Sequence, residues 1–133
     1  MQQHEHPNVA TVRALFAAFR SADLAAIVEA VPVDLAWHFP GRRGGLAGAH
    51  RGRDAVLAFL ARVMQLTDGT FGLDLEDVIG GDRYVVALFH GHGERNGKSL
   101  DNPTCLRVRF ENGRPCEIHE FVWDLFAVDE FWA

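Results

Sequence analysis

The sequence predicts an α+β fold in which helices gather on one face of a curved, mixed or antiparallel β-sheet. Two observations carry this prediction. Apolar residues in the first third recur at helical spacing, whereas the second half consists of apolar runs with strand character, separated by glycine-containing turns. One more helical stretch follows the first strand. The predicted order of elements is therefore ααβαββββ, with all three helices in the N-terminal half.

Three segments have the apolar spacing of helices. The first begins near Val9, after a polar segment of residues 1–7 that we expect to be flexible. The second helix has Ser21 or Asp23 as its N-cap and ends at Pro32. The third begins at the stretch "GRDAVLAFL", whose aspartate lies in the first turn, where the helix dipole favours a carboxylate.

The first strand is predicted in "VDLAWHF", where apolar residues alternate with the others. Four further strands are predicted in "TFGLDLEDVI", "RYVVALFHGHGE", "TCLRVRF" and "CEIHEFVWDLF". "RNGK" and "ENGR" separate the last three, and Asn-Gly is a strong signal for a hairpin turn. The closing "VDEFW" is expected to form a half-turn of helix.

Length and charge restrict the class of protein. The chain has 133 residues and a formal net charge of -5, which predicts one domain over residues 8–133 and no partnership with nucleic acid. The N-terminus lacks the pattern of a signal peptide, and no apolar run is long enough to span a membrane. Cys105 and Cys116 do not make a secreted disulfide framework. We therefore expect a cytoplasmic protein without membrane association.

Several stretches, taken in order, resemble the ketosteroid isomerase-like (nuclear transport factor 2-like) superfamily, and within it the SnoaL-like polyketide cyclase branch. They are "WHFPG" leading into "LAGAHRGRDAVLAFL", then "RNGKSL", "VRFENGR", "EIHEFVWD" and "FAVDEFW". The resemblance implies a cone-shaped sheet wrapped around the helices, with an apolar pocket open at one end. It also implies frequent dimerisation through the sheet. Because relatives include isomerases, cyclases, dehydratases and binding proteins, the function has to be inferred from the site.

The run "PGRRGGLAGAHRGRD" contains five glycines and four arginines but does not have the pattern of a phosphate-binding loop. A P-loop requires two glycines with four residues between them, followed by Lys and Ser or Thr. The only such Gly-Lys-Ser order, at Gly97, lies in a hairpin turn. We interpret the run as a flexible rim at the mouth of the pocket, where glycines let the strand turn into the third helix.

In "EIHEFVWD", either His119 or Glu120 faces the pocket, because neighbouring residues of a strand point to opposite faces. A two-residue turn in the preceding hairpin pairs Leu106 with His119. A three-residue turn with Gly113 in the left-handed conformation pairs Leu106 with Ile118 instead. We favour the second register and an inward Glu120, because this register keeps on one inner face the apolar residues Leu106, Val108, Phe110, Ile118 and Val122. His119, Phe121 and Trp123 then lie outside, beside Arg107 and Arg109.

Glu120 also matches, by resemblance, the acid/base aspartate of the SnoaL-like cyclases. Burial in an apolar cone raises the pKa of a carboxyl group, which suits proton transfer near neutral pH. On the first strand, Trp37 and His38 point to opposite faces, and which of them faces the pocket stays open. The predicted catalytic residues are Glu120 and His38. The predicted pocket lining is Trp37, Phe16, Phe59, Phe89, His90, His92, Leu106, Ile118 and Val122.

His90 and His92 share one face of their strand, a spacing also found in metal sites. A metal site needs a third ligand that the pattern does not supply, so we predict neither a metal nor a cofactor. The oxyanion donors that the resemblance to the isomerase implies are absent, with Phe16 and Phe19 where a tyrosine belongs and Leu106 where an aspartate belongs. Steroid isomerisation is therefore disfavoured.

The sequence predicts a protein that binds a small hydrophobic molecule, and we expect a cofactor-free isomerase, cyclase or dehydratase that acts on a carbonyl-type substrate. The alternative is a non-catalytic module of the same fold that binds a hydrophobic ligand or supports dimerisation. Five aromatic residues in the last thirteen positions exceed the needs of an inner face. They predict an apolar patch that a second copy of the chain covers in a homodimer.

Overall fold

The structure is a computed structural model that describes residues 5–133. Within this range four helices and six strands alternate in the order ααββαββββα. The helices are α1 (Pro7–Ser21), α2 (Leu24–Ala30), α3 (Arg53–Leu66) and α4 (Leu125–Trp132). The strands are β1 (Ala36–Phe39), β2 (Gly48–Arg51), β3 (Gly72–Gly80), β4 (Tyr84–Arg95), β5 (Lys98–Glu111) and β6 (Arg114–Val122).

All six strands form one sheet in the spatial order β2-β1-β6-β5-β4-β3. Neighbouring strands are antiparallel except β1 and β6, which run parallel, so the sheet is mixed. The sheet curves around α1 and α3, and the inner side chains of both layers form the hydrophobic core. The α+β cone predicted from the sequence is therefore confirmed. No helix in residues 5–133 is long and apolar enough to cross a membrane.

Polar side chains fix the start of the first two helices. His6 accepts a hydrogen bond from the backbone N–H of Asn8, and α1 begins at Pro7, earlier than the expected flexible segment allows. The first four residues of that segment lie outside the described residues. Asp23, one of the two predicted caps, accepts from the N–H of Ala26 at the start of α2. Such caps satisfy N–H groups that have no partner inside the helix.

Two elements were missing from the predicted order. The short strand β2 (Gly48–Arg51) is largely exposed and carries no apolar alternation, so its sequence has no strand signal. The helix α4 is longer than the expected half-turn, because Asp124 caps it by accepting from the N–H of Ala127. The final strand therefore ends at Val122, and the residues "DLF" belong to the cap and first turn of a helix.

The pairing of β5 with β6 differs from the predicted register. Leu106 lies opposite Glu120, not opposite Ile118 as predicted. The difference is two residues, and side chains alternate with a period of two along a strand. The predicted set of inner residues is therefore unchanged although the register was wrong.

A tight turn and a bulge produce this register. Asn112 and Gly113 form a two-residue turn with φ of 51° and 75°, values that suit the turn types favoured in hairpins. The pairing then shifts between Arg109 and Phe110, where β6 contains one extra residue. The prediction chose between two simple turns and did not include a turn combined with a bulge.

The glycine-rich segment between β1 and β2 holds α4 in place. One carboxylate oxygen of Asp129 accepts hydrogen bonds from the backbone N–H groups of Arg42 and Arg43, at 2.9 and 2.8 Å. The Arg43 guanidinium also pairs with Glu130 at 2.8 Å. Gly44 has φ of 78° and lies so close to the carbonyl oxygen of Trp132 that a Cβ there would overlap it. The segment is therefore a docking site for α4.

Candidate functional site

An apolar cavity lies between the concave face of the sheet and helices α1, α3 and α4. About 70 Å³ of it is open to a water-sized molecule, several times the space that one water needs. Its aromatic walls are Phe16, Phe19, Trp37, Phe39, Phe59, Phe71, Phe89 and Trp132, and its aliphatic walls include Leu15, Ile27, Leu60, Val63, Leu73, Leu100, Leu106, Val122 and Val128. Its polar side chains are those of Asn102, Thr104 and Glu120, with the indole N–H of Trp37.

Trp37 and Glu120 meet inside this cavity. Parallel pairing of β1 with β6 sets Trp37 beside Ile118, and Glu120 is the next inward residue along β6. The Trp37 indole donates a hydrogen bond from Nε1 to Oε1 of Glu120 at 3.2 Å. The Trp37 ring packs on Phe59 with ring centroids 5.4 Å apart, which fixes the direction of its N–H. Trp37, and not His38, is therefore the inward residue of β1.

Burial determines the protonation of Glu120. Removal of its carboxyl group from water raises its pKa from 4.5 to about 7, although the Trp37 hydrogen bond partly opposes the rise. No other titratable residue lines the cavity among those the structure describes. Near neutral pH the cavity therefore holds a carboxyl group that is present in both the acid and the base form.

His38 lies on the opposite face of the sheet from Glu120, which corrects the prediction that the two share one pocket. Its Nε2 is 2.8 Å from Oε2 of Glu117, and its ring stacks on that of His119 at 4.2 Å between centroids. Since β1 alternates and Trp37 is inward, His38 has to be outward. His119 also lies outside, with Arg107 3.4 Å from its Nδ1, as the sequence predicted.

His90 and His92 are also outside the cavity, contrary to the predicted lining. His90 lies between Asp101 at 2.8 Å and Glu76 at 2.9 Å, and His92 is 3.2 Å from Asp74. The inward residues of β4 are their neighbours, which include Phe89 and Gly91. Because neighbouring residues of β4 point to opposite faces and Phe89 points inward, His90 and His92 point outward to solvent.

The remaining predicted lining residues divide into two groups. Ile118 is fully buried in the core and does not line the cavity. Six others do line the cavity, namely Trp37, Phe16, Phe59, Phe89, Leu106 and Val122.

Asn102 and Thr104 were not predicted as site residues. Both are inward residues of β5, at 4% and 7% exposure, and both line the cavity. The sequence "LDNPTCLRVRF" alternates through Leu100, Asn102, Thr104 and Leu106. A polar residue at an inward position of an apolar alternation is the signal that could have identified them.

One cluster in the described part of the chain could be considered for a metal ion. The ligand atoms of His38, Glu117 and His119 lie within 4.8 Å of one another. The two rings are nearly parallel, at 10°, so their in-plane lone pairs do not converge on one ion. Arg109 is 3.5 Å from Glu117 and further disfavours a cation. The arrangement fits a hydrogen-bonded surface cluster better than a metal centre.

Comparisons with known proteins agree with this geometry. A family model described as a SnoaL-like domain matches residues 12–118. The protein Rv0034 of Mycobacterium tuberculosis is 37% identical over 123 residues, which cover 92% of this chain and 93% of that protein.

Solved structures are similar over nearly the whole chain. Bal32a, from a soil-derived mobile gene cassette, has 39% sequence identity and a TM-score of 0.90, covering 96% of this chain and 97% of its own. TerC, co-crystallised with polyporic acid, has 23% identity and a TM-score of 0.81, covering 94% of this chain and 97% of its own. At this lower identity, the similarity to TerC concerns the fold alone.

Proposed function

Because the chain belongs to the SnoaL-like domain family, we propose that it binds a small hydrophobic molecule and acts on it as a cofactor-free acid/base enzyme. In this proposal Glu120 removes a proton from a carbon next to a carbonyl group and returns it at another position. The reaction type is an isomerisation, a cyclisation or a dehydration. The supporting observation is a single carboxyl group with a pKa of about 7 in an aromatic-walled cavity.

The position of Glu120 suits proton transfer. A carboxylate without close cationic partners keeps its basicity, and the surrounding apolar wall excludes the water that would compete for the proton. The Trp37 N–H fixes one carboxylate oxygen at 3.2 Å, and among the described residues Oε2 has no such partner and is available to a ligand in the cavity that Glu120 lines. General acid/base catalysis of this kind contributes about 10²–10⁴-fold in rate.

The walls indicate the class of ligand. Rings of Phe16, Phe59 and Phe89, with Trp37, offer flat faces and edges on several sides of the cavity. Such walls favour flat, conjugated molecules through aromatic contact.

A second function, binding without catalysis, is favoured by one observation. The Trp37 N–H donates to Glu120 itself, so it is not free to stabilise a developing oxyanion next to the base. In the part of the chain that the structure describes, the remaining polar lining residues, Asn102 and Thr104, lie farther along β5. A base without an adjacent donor would orient a ligand and not transform it.

Proton exchange distinguishes the two functions. The probe is 1-tetralone, a two-ring apolar ketone, incubated in D₂O with the protein while NMR follows loss of the proton signal next to the carbonyl. Catalysis predicts faster exchange with the natural protein, and a fall of about 10²-fold or more with Glu120→Gln. The matched control is Glu117→Gln, on the same strand but the opposite face, which should keep full activity.

The binding-only function predicts a different pattern. The ketone would then bind, as shown by quenching of tryptophan fluorescence, while exchange stays at the rate of buffer alone. Equal exchange by the natural protein and Glu120→Gln would exclude Glu120 as the base.

We also propose that the chain forms a homodimer through the outer face of the sheet near its C-terminal end. Trp123 is 84% exposed and Phe121 is 51% exposed. Arg107 lies 5.9 Å from the centre of the Phe121 ring, so the patch combines aromatic faces with a cation. In a two-fold interface the same patch of both subunits meets, so the arginine of one patch can lie against the aromatic rings of the other.

Light scattering after size-exclusion chromatography tests the dimer. The natural protein is expected at twice the mass of the 14.8 kDa chain, and Trp123→Glu at the mass of one chain. Leu24→Glu is the control, because Leu24 is 71% exposed on α2, away from the patch. A monomeric natural protein, or a dimer that Trp123→Glu leaves intact, would contradict this interface.

A further inference from the structure

We propose that Asn102 is a ligand-binding residue, and that the cavity takes an elongated aromatic molecule with a hydrogen-bond acceptor, such as a carbonyl oxygen, at its end near Asn102. The opposite end of the molecule then lies against Glu120. This inference rests on the proposed function, since it defines the shape and polarity of the molecule that the same cavity binds.

The Asn102 amide has a defined orientation. Its Oδ1 accepts a hydrogen bond at 3.1 Å from the backbone N–H of Trp123, which donates also to the carbonyl oxygen of Pro103 at 2.9 Å. The reverse assignment would place two donors against each other, so the amide nitrogen has to be on the other side. The nearest acceptor for that nitrogen is the carbonyl oxygen of Asp124, at 3.5 Å, the outer limit of a hydrogen bond.

The amide nitrogen is therefore poorly satisfied by the residues that the structure describes. It has two hydrogens, and the single long contact to Asp124 uses one of them weakly. Asn102 is only 4% exposed, so bulk water does not replace the missing partner. Buried donors nearly always have an acceptor. Because Asn102 lines the cavity, a ligand in the cavity is the natural source of one.

Thr104 does not fill this role. Its hydroxyl donates to the backbone carbonyl of Asn102 at 3.0 Å, so its proton is already used within the strand. Asn102 is thus the lining residue of β5 whose N–H is available to a ligand.

The register of the sheet fixes the length of the ligand. Leu106 lies opposite Glu120, and Asn102 is four residues away from Leu106 along β5. At about 3.4 Å per residue this is a separation of roughly 13 Å between the backbone positions. A molecule that reaches both side chains needs about three fused rings. The wall between them is largely apolar, and includes Val122, Phe89 and Thr104.

Two fluorescent probes of equal shape test the proposal. They are 2-acetylanthracene, which carries a carbonyl oxygen at one end, and 2-ethylanthracene, which does not. Binding is measured by fluorescence titration at pH 9, where Glu120 is ionised and accepts but does not donate hydrogen bonds. We expect the ketone to bind the natural protein about tenfold more tightly than the hydrocarbon, the usual effect of one buried hydrogen bond.

The variants separate Asn102 from its neighbours. Asn102→Leu, of similar size, should bind both probes with equal affinity. Thr104→Val, at the next inward position, should keep the tenfold preference. The Thr104 hydroxyl donates to the backbone carbonyl of Asn102 and is not available to the ligand. A preference that survives in Asn102→Leu would overturn the proposal.

A measurement on the natural protein covers the case in which Asn102→Leu does not fold, since Asn102 also contacts the start of α4. The ¹³C signal of a carbonyl-labelled ketone should move downfield by several ppm relative to the ketone in hexane. An unchanged signal would overturn the proposal. Equal binding of both probes by the natural protein refutes this inference alone, whereas no binding of either also contradicts the proposed function.

Discussion

Replacement of Glu120 by glutamine should raise the free energy of unfolding by up to about 3 kcal/mol at pH 8, and this gain should disappear below pH 4.5. The value follows from the difference between the folded pKa of about 7 and the ordinary 4.5. Glutamine keeps a carbonyl oxygen that accepts the Trp37 hydrogen bond but carries no charge into the apolar cavity. Urea unfolding followed by circular dichroism at pH 4, 6 and 8 measures the effect.

The sign of this effect follows from linkage. Burial raises the pKa of Glu120, so the unfolded chain releases its proton more readily than the folded protein. Above pH 4.5 ionisation therefore favours unfolding, and the cost grows until the folded carboxyl also ionises near pH 7. Native stability should fall over this interval, and Glu120→Gln should remove that part of the fall.

Glu117→Gln is the matched control for this experiment. The hydrogen bond to His38 lowers the pKa of Glu117, so ionised Glu117 stabilises the fold above its unfolded pKa. Its replacement should destabilise the protein at pH 8, opposite in sign to Glu120→Gln. Unchanged or lowered stability of Glu120→Gln at pH 8 would show that Glu120 is not a buried, destabilised carboxyl group.

Gly44→Ala should destabilise the protein by about 1–3 kcal/mol and loosen α4. Gly44 has φ of 78°, which disfavours alanine, and its new Cβ would overlap the backbone carbonyl oxygen of Trp132. Because this neighbour is backbone, it cannot move without displacing the end of α4. Urea unfolding measures the loss of stability, and the emission of Trp132 should shift to longer wavelength as its ring gains water.

The control for this variant is the adjacent residue. Gly45→Ala meets no atom within 4 Å, and Gly45 is not among the residues with positive φ. It should therefore change stability by less than about 0.5 kcal/mol. If both variants destabilise equally, the effect comes from loop flexibility and not from the close approach to α4.

The inward position of Glu120 was predictable because it depends on parity alone. Apolar residues of β5 and β6 have to share one face, and this condition fixes which residues are inward even when the register is wrong by two. The register itself depends on a bulge beside Phe110. A bulge is set by local packing, and its sequence carries no distinctive residue type here.

The orientation of His38 and the role of Asn102 were not predicted from the sequence. The alternation in β1 left Trp37 and His38 as alternatives, and only the aromatic cluster with Phe59 decides between them. The predicted strand began at Thr104, yet β5 begins at Lys98 and continues through Asn102 and Pro103. For His38, contacts with residues distant in sequence determine the outcome. For Asn102, the alternation through Leu100, Thr104 and Leu106 was a local signal that the prediction did not use.

The parallel pairing of β1 with β6 has a consequence for folding. Trp37 and Ile118 lie side by side, although most of the chain separates them. Contacts between such distant segments form slowly, because a long loop has to close first. We therefore expect the cavity carboxyl and its indole partner to come together late in folding. The raised pKa of Glu120 should thus be found only in the native state and not in a partly folded intermediate.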